Sequence, residues 1–143
     1  MDKISTIRRS ANMAAIRSKN TKPEMAVRKF LFRSGLRFRL HAAGLPGRPD
    51  LVFPARRVAV FVHGCFWHGC KKCIDGTRKV KSNSAYWTQK VLQNQIRDRK
   101  NQQMLRKSGW QPITIWECEA RNQARLQKLS DTIRRTFPLK ISK

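Results

Sequence analysis

Val58-Ala-Val-Phe-Val62 is apolar at every position, and it runs without a break into His63-Gly-Cys-Phe-Trp-His-Gly-Cys-Lys-Lys-Cys73. A strand with no polar face must be covered on both sides, so the run predicts a central strand with packed layers above and below it. The chain has 143 residues to build those layers, enough for one core and too few for two. The segment that leaves the strand holds three of the four cysteines, two of the three histidines and two large aromatics. Chemistry is therefore expected at the end of a central strand.

The flanking sequence supplies the layers. Thr21-Lys-Pro-Glu24 has the form of a capping box and Gly35 is a C-terminal stop, which predicts a helix over Glu24–Ser34 with Met25, Phe30 and Leu31 on its apolar side. Leu36, Phe38 and Leu40 alternate with Arg37, Arg39 and His41, the period of a strand with one basic face. After the Gly/Pro-rich AAGLPGRP a second strand begins at Asp50-Leu-Val-Phe53, and Pro54–Arg57 turns the chain into the central strand. Ser84 to Lys107 lacks Gly and Pro and reads as a long helix closed by Ser108-Gly109. At 100° per residue, Trp87, Val91, Asp98 and Leu105 fall within about 20° of one line, so Asp98 is an acid on a largely apolar stripe. Ile113–Trp116 is a further strand. Pro112 at its start removes a donor and suggests an edge or entry position. A final helix is expected over Ala120–Phe137. The order predicts an α/β fold in one domain over residues 21–137, between a basic arm or short helix at 1–20 and a tail at 138–143.

With 32 Lys+Arg against 8 Asp+Glu, the formal charge of +24 suits a polyanionic partner, nucleic acid ahead of an acidic membrane surface. No run of 18 apolar residues exists and MDKISTIRRSANM has no apolar stretch, so neither a membrane span nor secretion is expected, and the thiols should stay reduced. Cys65, Cys70, Cys73 and the later Cys118 then read as four thiolates about 2.3 Å from one tetrahedral zinc ion. Buried reduced thiols and disulfides are the alternatives.

An acid that opens a strand (Asp50) beside the end of the next strand (Val62, His63) is how a metal-dependent nuclease often sets its ligands, because a carboxylate and a neighbouring backbone carbonyl together hold a hard cation. Histidines such as His63 and His68 can then move protons near neutral pH. Blander roles are open to each: Asp50 as a strand-start residue, the histidines as core residues or zinc ligands, Glu24 as a helix cap, Asp98 as an ion-pair partner of Arg97 or Arg99.

Four motifs in order, LPGRPDLVF, VFVHGCFWHGCKKC, YWTQKVLQNQIRDR and GWQPITIWECE, with SKNTKPE before them, resemble the very short patch repair endonucleases, bacterial enzymes that nick DNA at mismatches. The similarity runs from about Ser10 to Leu126. It implies a restriction-endonuclease-like fold, a central mixed sheet flanked by helices with a structural zinc site. It also implies a Mg²⁺-dependent endonuclease, cytoplasmic and nucleoid-associated, that cleaves double-stranded DNA 5′ to the thymine of a T:G mismatch left by deamination of 5-methylcytosine. Asp50 and the carbonyl of Val62 would hold Mg²⁺. His68 would activate water, steadied by Asp98, while His63 would serve the leaving group with Glu24 as its partner. Phe66, Trp67 and Trp87 would match an aromatic wedge that opens the stack at the mismatch, where unstacking costs least. The resemblance further implies a monomer with functional links to a cytosine-5 DNA methyltransferase and to mismatch repair proteins. Two departures stand out: Cys70 replaces a histidine common among the family's zinc ligands, with one residue added before Cys73, and position 62 is Val where a polar residue often occurs. The competing readings are a non-catalytic zinc module on nucleic acid and a nuclease of the same fold for another DNA structure.

Overall fold

The computed structural model describes residues 21–68, 70 and 84–136, with the main chain alone for Phe66, Trp67 and Ser84. The expected arm at 1–20, Cys73, Phe137 and the tail lie outside the described residues.

The apolar run is strand β3 (Val58–His63), inside a four-stranded sheet. Its neighbours in order are β1 (Arg39–Leu40), β2 (Leu51–Phe53), β3 and β4 (Gln111–Trp116). The first three strands are antiparallel neighbours, whereas β4 runs parallel to β3, so the sheet is mixed. Helix α1 (Lys22–Arg33) precedes the sheet, the short α2 (Cys65–His68) leaves β3, the long α3 (Ser84–Lys107) leads to β4, and α4 (Gln123–Arg135) closes the chain.

Strand parity explains the layers. Val58 and Val60 pack with Val27 and Leu31 of α1 and Leu126, Leu129 and Ile133 of α4, while Ala59 and Phe61 pack with Val52 and Leu105 of α3. Each large side chain fully removed from water here contributes roughly 1.5–3 kcal/mol of apolar transfer. His63 continues the Ala59, Phe61 parity and is therefore delivered toward α3 rather than toward α1 and α4.

Several expectations shift in detail. Only Arg39–Leu40 of the expected strand at Leu36–Leu40 joins the sheet, because its partner β2 is three residues long and ends at Pro54. Phe38 still meets Phe53 edge to face, ring centres 5.8 Å apart. The last helix starts at Gln123, later than Ala120, because Glu119–Arg121 forms a 3-10 turn and the Asn122 side chain accepts from the Arg125 N–H at 3.2 Å. The long helix has the expected bounds, and Pro112 lies in β4, which among the described residues is an edge strand paired with β3.

Candidate active site and thiolate centre

Between the end of the sheet and the inward face of α3 lies a cleft of about 700 Å³. Of the eight acids in this basic chain, Glu24, Asp50, Asp98 and Glu117 line it, together with His63, His68 and the cations Lys22, Arg48, Lys90 and Arg97. So many scarce carboxylates beside cations require a local reason, and the backbone supplies the arrangement.

Asp50 stands at the mouth of β2. His41 N–H donates to the Asp50 carbonyl at 3.1 Å and Ala42 N–H to the Pro49 carbonyl at 3.2 Å, so the β1–β2 ladder continues past its formal ends. Gly47 closes the connecting loop at φ 77°, and a Cβ there would lie 3.1 Å from Phe61 and 3.0 Å from Asn101, which ties that glycine to the close approach of loop and α3. Leu51 faces Val60 in register, so two residues earlier Pro49 faces Val62. Proline has no N–H to give the Val62 carbonyl, and the Val62 N–H turns instead to Asp50 Oδ2 at 2.7 Å. One carboxylate and one carbonyl without a ladder donor from β2 thus meet at the sheet end. Burial pushes the Asp50 carboxyl up to about 6, the Val62 N–H pulls the other way, and the adjacent Glu24 carboxylate adds to the rise.

His68 and His63 form a second group. The last residue of α2, His68, places Nδ1 2.6 Å from Asp98 Oδ2 on α3. The His63 ring stacks on His68 with centres 3.9 Å apart and planes 6° from parallel, and its Nδ1 is 3.9 Å from the same Asp98 oxygen. Burial, and then the neighbouring His68, push the His63 imidazole down to about 4 against the pull of Asp98. His63 is therefore neutral at pH 7. Gln95 on α3 donates to the His68 carbonyl at 3.3 Å and fixes the end of α2 against the long helix.

The expected pairing of Asp98 with His68 is present in the geometry, but Glu24 lies elsewhere. Its N–H keeps half of the capping box, donating to Thr21 Oγ1 at 3.3 Å. Its carboxylate turns inward, 2% exposed, to His41 Nε2 at 3.0 Å and Arg28 at 3.2 Å, whereas the acid beside His63 is Asp98. The residue that sequence reasoning missed is His41. It appeared there only as one position of a basic strand face; its signal was the register that sets it opposite Asp50.

Cys65, Cys70 and Cys118 converge behind the histidines, with their sulfurs within 4.8 Å of one another. Cys70 and Cys118 Sγ are 3.9 Å apart, and the Cys118 N–H donates to Cys65 Sγ at 3.4 Å. Three thiols drawn from α2, the second residue beyond it and the turn after β4 have the donor set of a soft-metal site. Trp87 is half-buried near the start of α3, edge to face with Tyr86 at 5.1 Å. Phe66 and Trp67 lie on α2.

A family model described as DNA mismatch endonuclease Vsr matches residues 1–74. A model of the 4Fe-4S single cluster domain matches residues 54–142, the part that carries all four cysteines. The Type II nicking enzyme V.XorIIP of Xanthomonas oryzae is 46% identical over 134 residues, 91% of this chain and 97% of the relative. The Type II nicking enzyme V.NmeAIP of Neisseria meningitidis is 45% identical over 86% of each chain. The DNA mismatch endonuclease Vsr of Escherichia coli is 38% identical over 82% of this chain and 74% of the relative. With these relatives spanning most of its length, the chain belongs to the DNA mismatch endonuclease Vsr family and is an endodeoxyribonuclease.

Proposed function

We propose that this endonuclease nicks duplex DNA 5′ to the thymine of a T:G mismatch, using Mg²⁺ at Asp50 and a zinc ion at the cysteines as a structural clamp. The observation that carries the reading is the meeting of Asp50, the Val62 main chain and the His68–Asp98 pair in one cation-rimmed cleft. The donors suit a hard cation, since carboxylate and carbonyl oxygens are what Mg²⁺ selects, and the bound ion would supply charge stabilisation at the phosphate.

The chain's own groups have separable tasks. Asp98 holds the proton on His68 Nδ1, leaving Nε2 as the basic atom that can take a proton from an attacking water. His63, neutral and stacked behind, would stabilise the leaving oxygen with an N–H hydrogen bond while solvent water supplies the proton that oxygen takes up. Arg48, Lys90 and Arg97 would hold the phosphates of the nicked strand along the cleft. Phe66, Trp67 and Trp87, on α2 and the start of α3, would wedge the mismatched step open, where unstacking costs least. His68→Ala and Asp98→Asn are each expected to lower nicking by roughly 10²–10⁴ with little change in melting. A melting loss for His68→Ala as large as that for Cys118→Ala would make His68 a structural residue.

Duplex affinity should fall steeply with salt. Neutralising about 6 to 10 phosphates would lose roughly 10³ to 10⁵ in affinity between 50 and 200 mM salt. A flat response in a filter-binding titration would contradict contact with the backbone. The deciding assay incubates the protein and Mg²⁺ with end-labelled duplexes carrying T:G or T:A at one position in several methylated-site contexts. One nick 5′ to the mismatched thymine, absent with T:A, is expected. Cutting of abasic or perfectly paired duplexes instead would assign another substrate, and tight binding without cleavage in every context would leave a non-catalytic DNA-binding module.

A further inference from the structure

We infer that Glu24, His41 and Asp50 form one mixed carboxylate–imidazole site for a divalent transition cation, with Nε2 of His41 as a nitrogen ligand. The inference rests on the reading of Asp50 as the metal-holding acid and adds two ligands to it.

Each of the three residues offers a donor atom within 4.8 Å of the others. His41 Nε2 and Glu24 Oε2 are 3.0 Å apart. Neighbouring ligands about 2.1 Å from an octahedral ion are themselves about 3.0 Å apart, and opposite ligands about 4.2 Å, so one ion can serve all three donors with small adjustments. The two atoms lie at hydrogen-bond distance, and an ion held by both would take the place of the proton in that contact while His41 carries its own on Nδ1.

The main chain aims the imidazole. The β1–β2 register pairs Arg39 with Val52 and Leu40 with Leu51, so His41 falls opposite Asp50, and the His41 N–H to Asp50 carbonyl bond fixes that step. Cross-strand neighbours share a face. His41 also has φ 49°, in the left-handed region that a residue with a side chain seldom adopts. A backbone held there by two cross-strand bonds brings the ring onto the acids rather than out to solvent; its side chain is 16% exposed. Glu24 arrives from the other direction, in the first turn of α1, at 2% exposure.

A site for Mg²⁺ alone needs oxygens, and a nitrogen donor shifts preference toward Mn²⁺, Co²⁺ and their successors. The test uses full-length protein with the cysteine site zinc-loaded, and Mn²⁺ as the probe. Electron-spin-echo spectra of the wild type should contain ¹⁴N modulation from a coordinated imidazole. His41→Gln should remove that modulation and weaken Mn²⁺ by at least the 10–100-fold that follows loss of an outer partner. His63→Gln should retain it. Mn²⁺ bound without ¹⁴N modulation in the wild type would overturn the inference, as would modulation that survives in His41→Gln or disappears in His63→Gln. Failure of the nuclease reading has a separate signature, since wild type that cuts no mismatched duplex with Mg²⁺ would sink that reading whatever nitrogen the Mn²⁺ spectra contain.

Discussion

Asp50→Asn is expected to lower nicking by on the order of 10³-fold, the several kcal/mol of charge stabilisation that a catalytic cation supplies, while making the metal-free protein more stable at pH 7. The two effects share one cause. Asp50 is placed where its carboxylate is desolvated and faces Glu24, which raises its pKa from 3.8 to about 6. A folded-state value above the unfolded one means that the ionised group opposes folding at neutral pH, and that the penalty disappears as pH falls below about 4. That difference corresponds to at most about 3 kcal/mol. Asparagine keeps an oxygen for the Val62 N–H and drops the charge, so a gain of about 1 to 3 kcal/mol is expected at pH 7 and none near pH 3. Added Mg²⁺ should raise the Tm of the wild type and leave that of Asp50→Asn unchanged, because only a ligand that binds the folded state stabilises it. Since protons compete with the cation, nicking should fail as pH drops through about 6, and more Mg²⁺ should move that limb to lower pH. A variant that still nicks within tenfold of wild type would remove Asp50 from the metal site.

What could be read from the sequence was what depends on composition along one element. β3 announced itself because an all-apolar run has no solvated face, and α3 because 24 residues without Gly or Pro have no reason to break. Asp98 was legible for the same reason: helical phase alone put it on the inward stripe, and it meets His68 there. Errors arose where a second element decides. Alternation at Leu36–Leu40 suggested a longer strand than the three-residue β2 can pair. The polar side chain of Asn122 fixed the start of α4 more strongly than the periodicity around it. The Thr21 cap on the Glu24 N–H is as the pattern indicates, but the pattern does not reveal that the Glu24 carboxylate reaches His41. His41 itself was invisible as a site residue, since nothing in its neighbours reveals it until the register with Asp50 is known.

Cys118→Ala should cost on the order of 5 kcal/mol or more, a large part of a small domain's whole stability. A metal on these thiols would add a clamp to segments that hydrogen bonds already bring together, since the Cys65 N–H donates to Glu117 and the Cys118 N–H to Cys65 Sγ. Cys65 starts α2, Cys70 follows it, and Cys118 lies in the turn after β4, beyond the parallel pair His63 and Trp116. A metal there would fix the C-terminal ends of β3 and β4 to the helix that carries His68, so its loss should disturb both folding and the His63–His68 stack. Spacing argues for the kind of metal. Thiolates about 2.3 Å from a single tetrahedral ion are about 3.8 Å apart, and Cys70 and Cys118 are 3.9 Å apart. An iron–sulfur cubane distributes its thiolates over separate irons and so holds them farther apart. Purified protein should accordingly contain one zinc and no visible iron–sulfur absorption, and Co²⁺ in its place should give the intense bands of a tetrahedral thiolate complex. Removal of the metal by a chelator should lower the Tm of the wild type to that of Cys118→Ala and leave the variant unchanged. Iron with inorganic sulfide would assign a cluster to the site, whereas equal melting with and without metal would return the cysteines to the role of buried thiols.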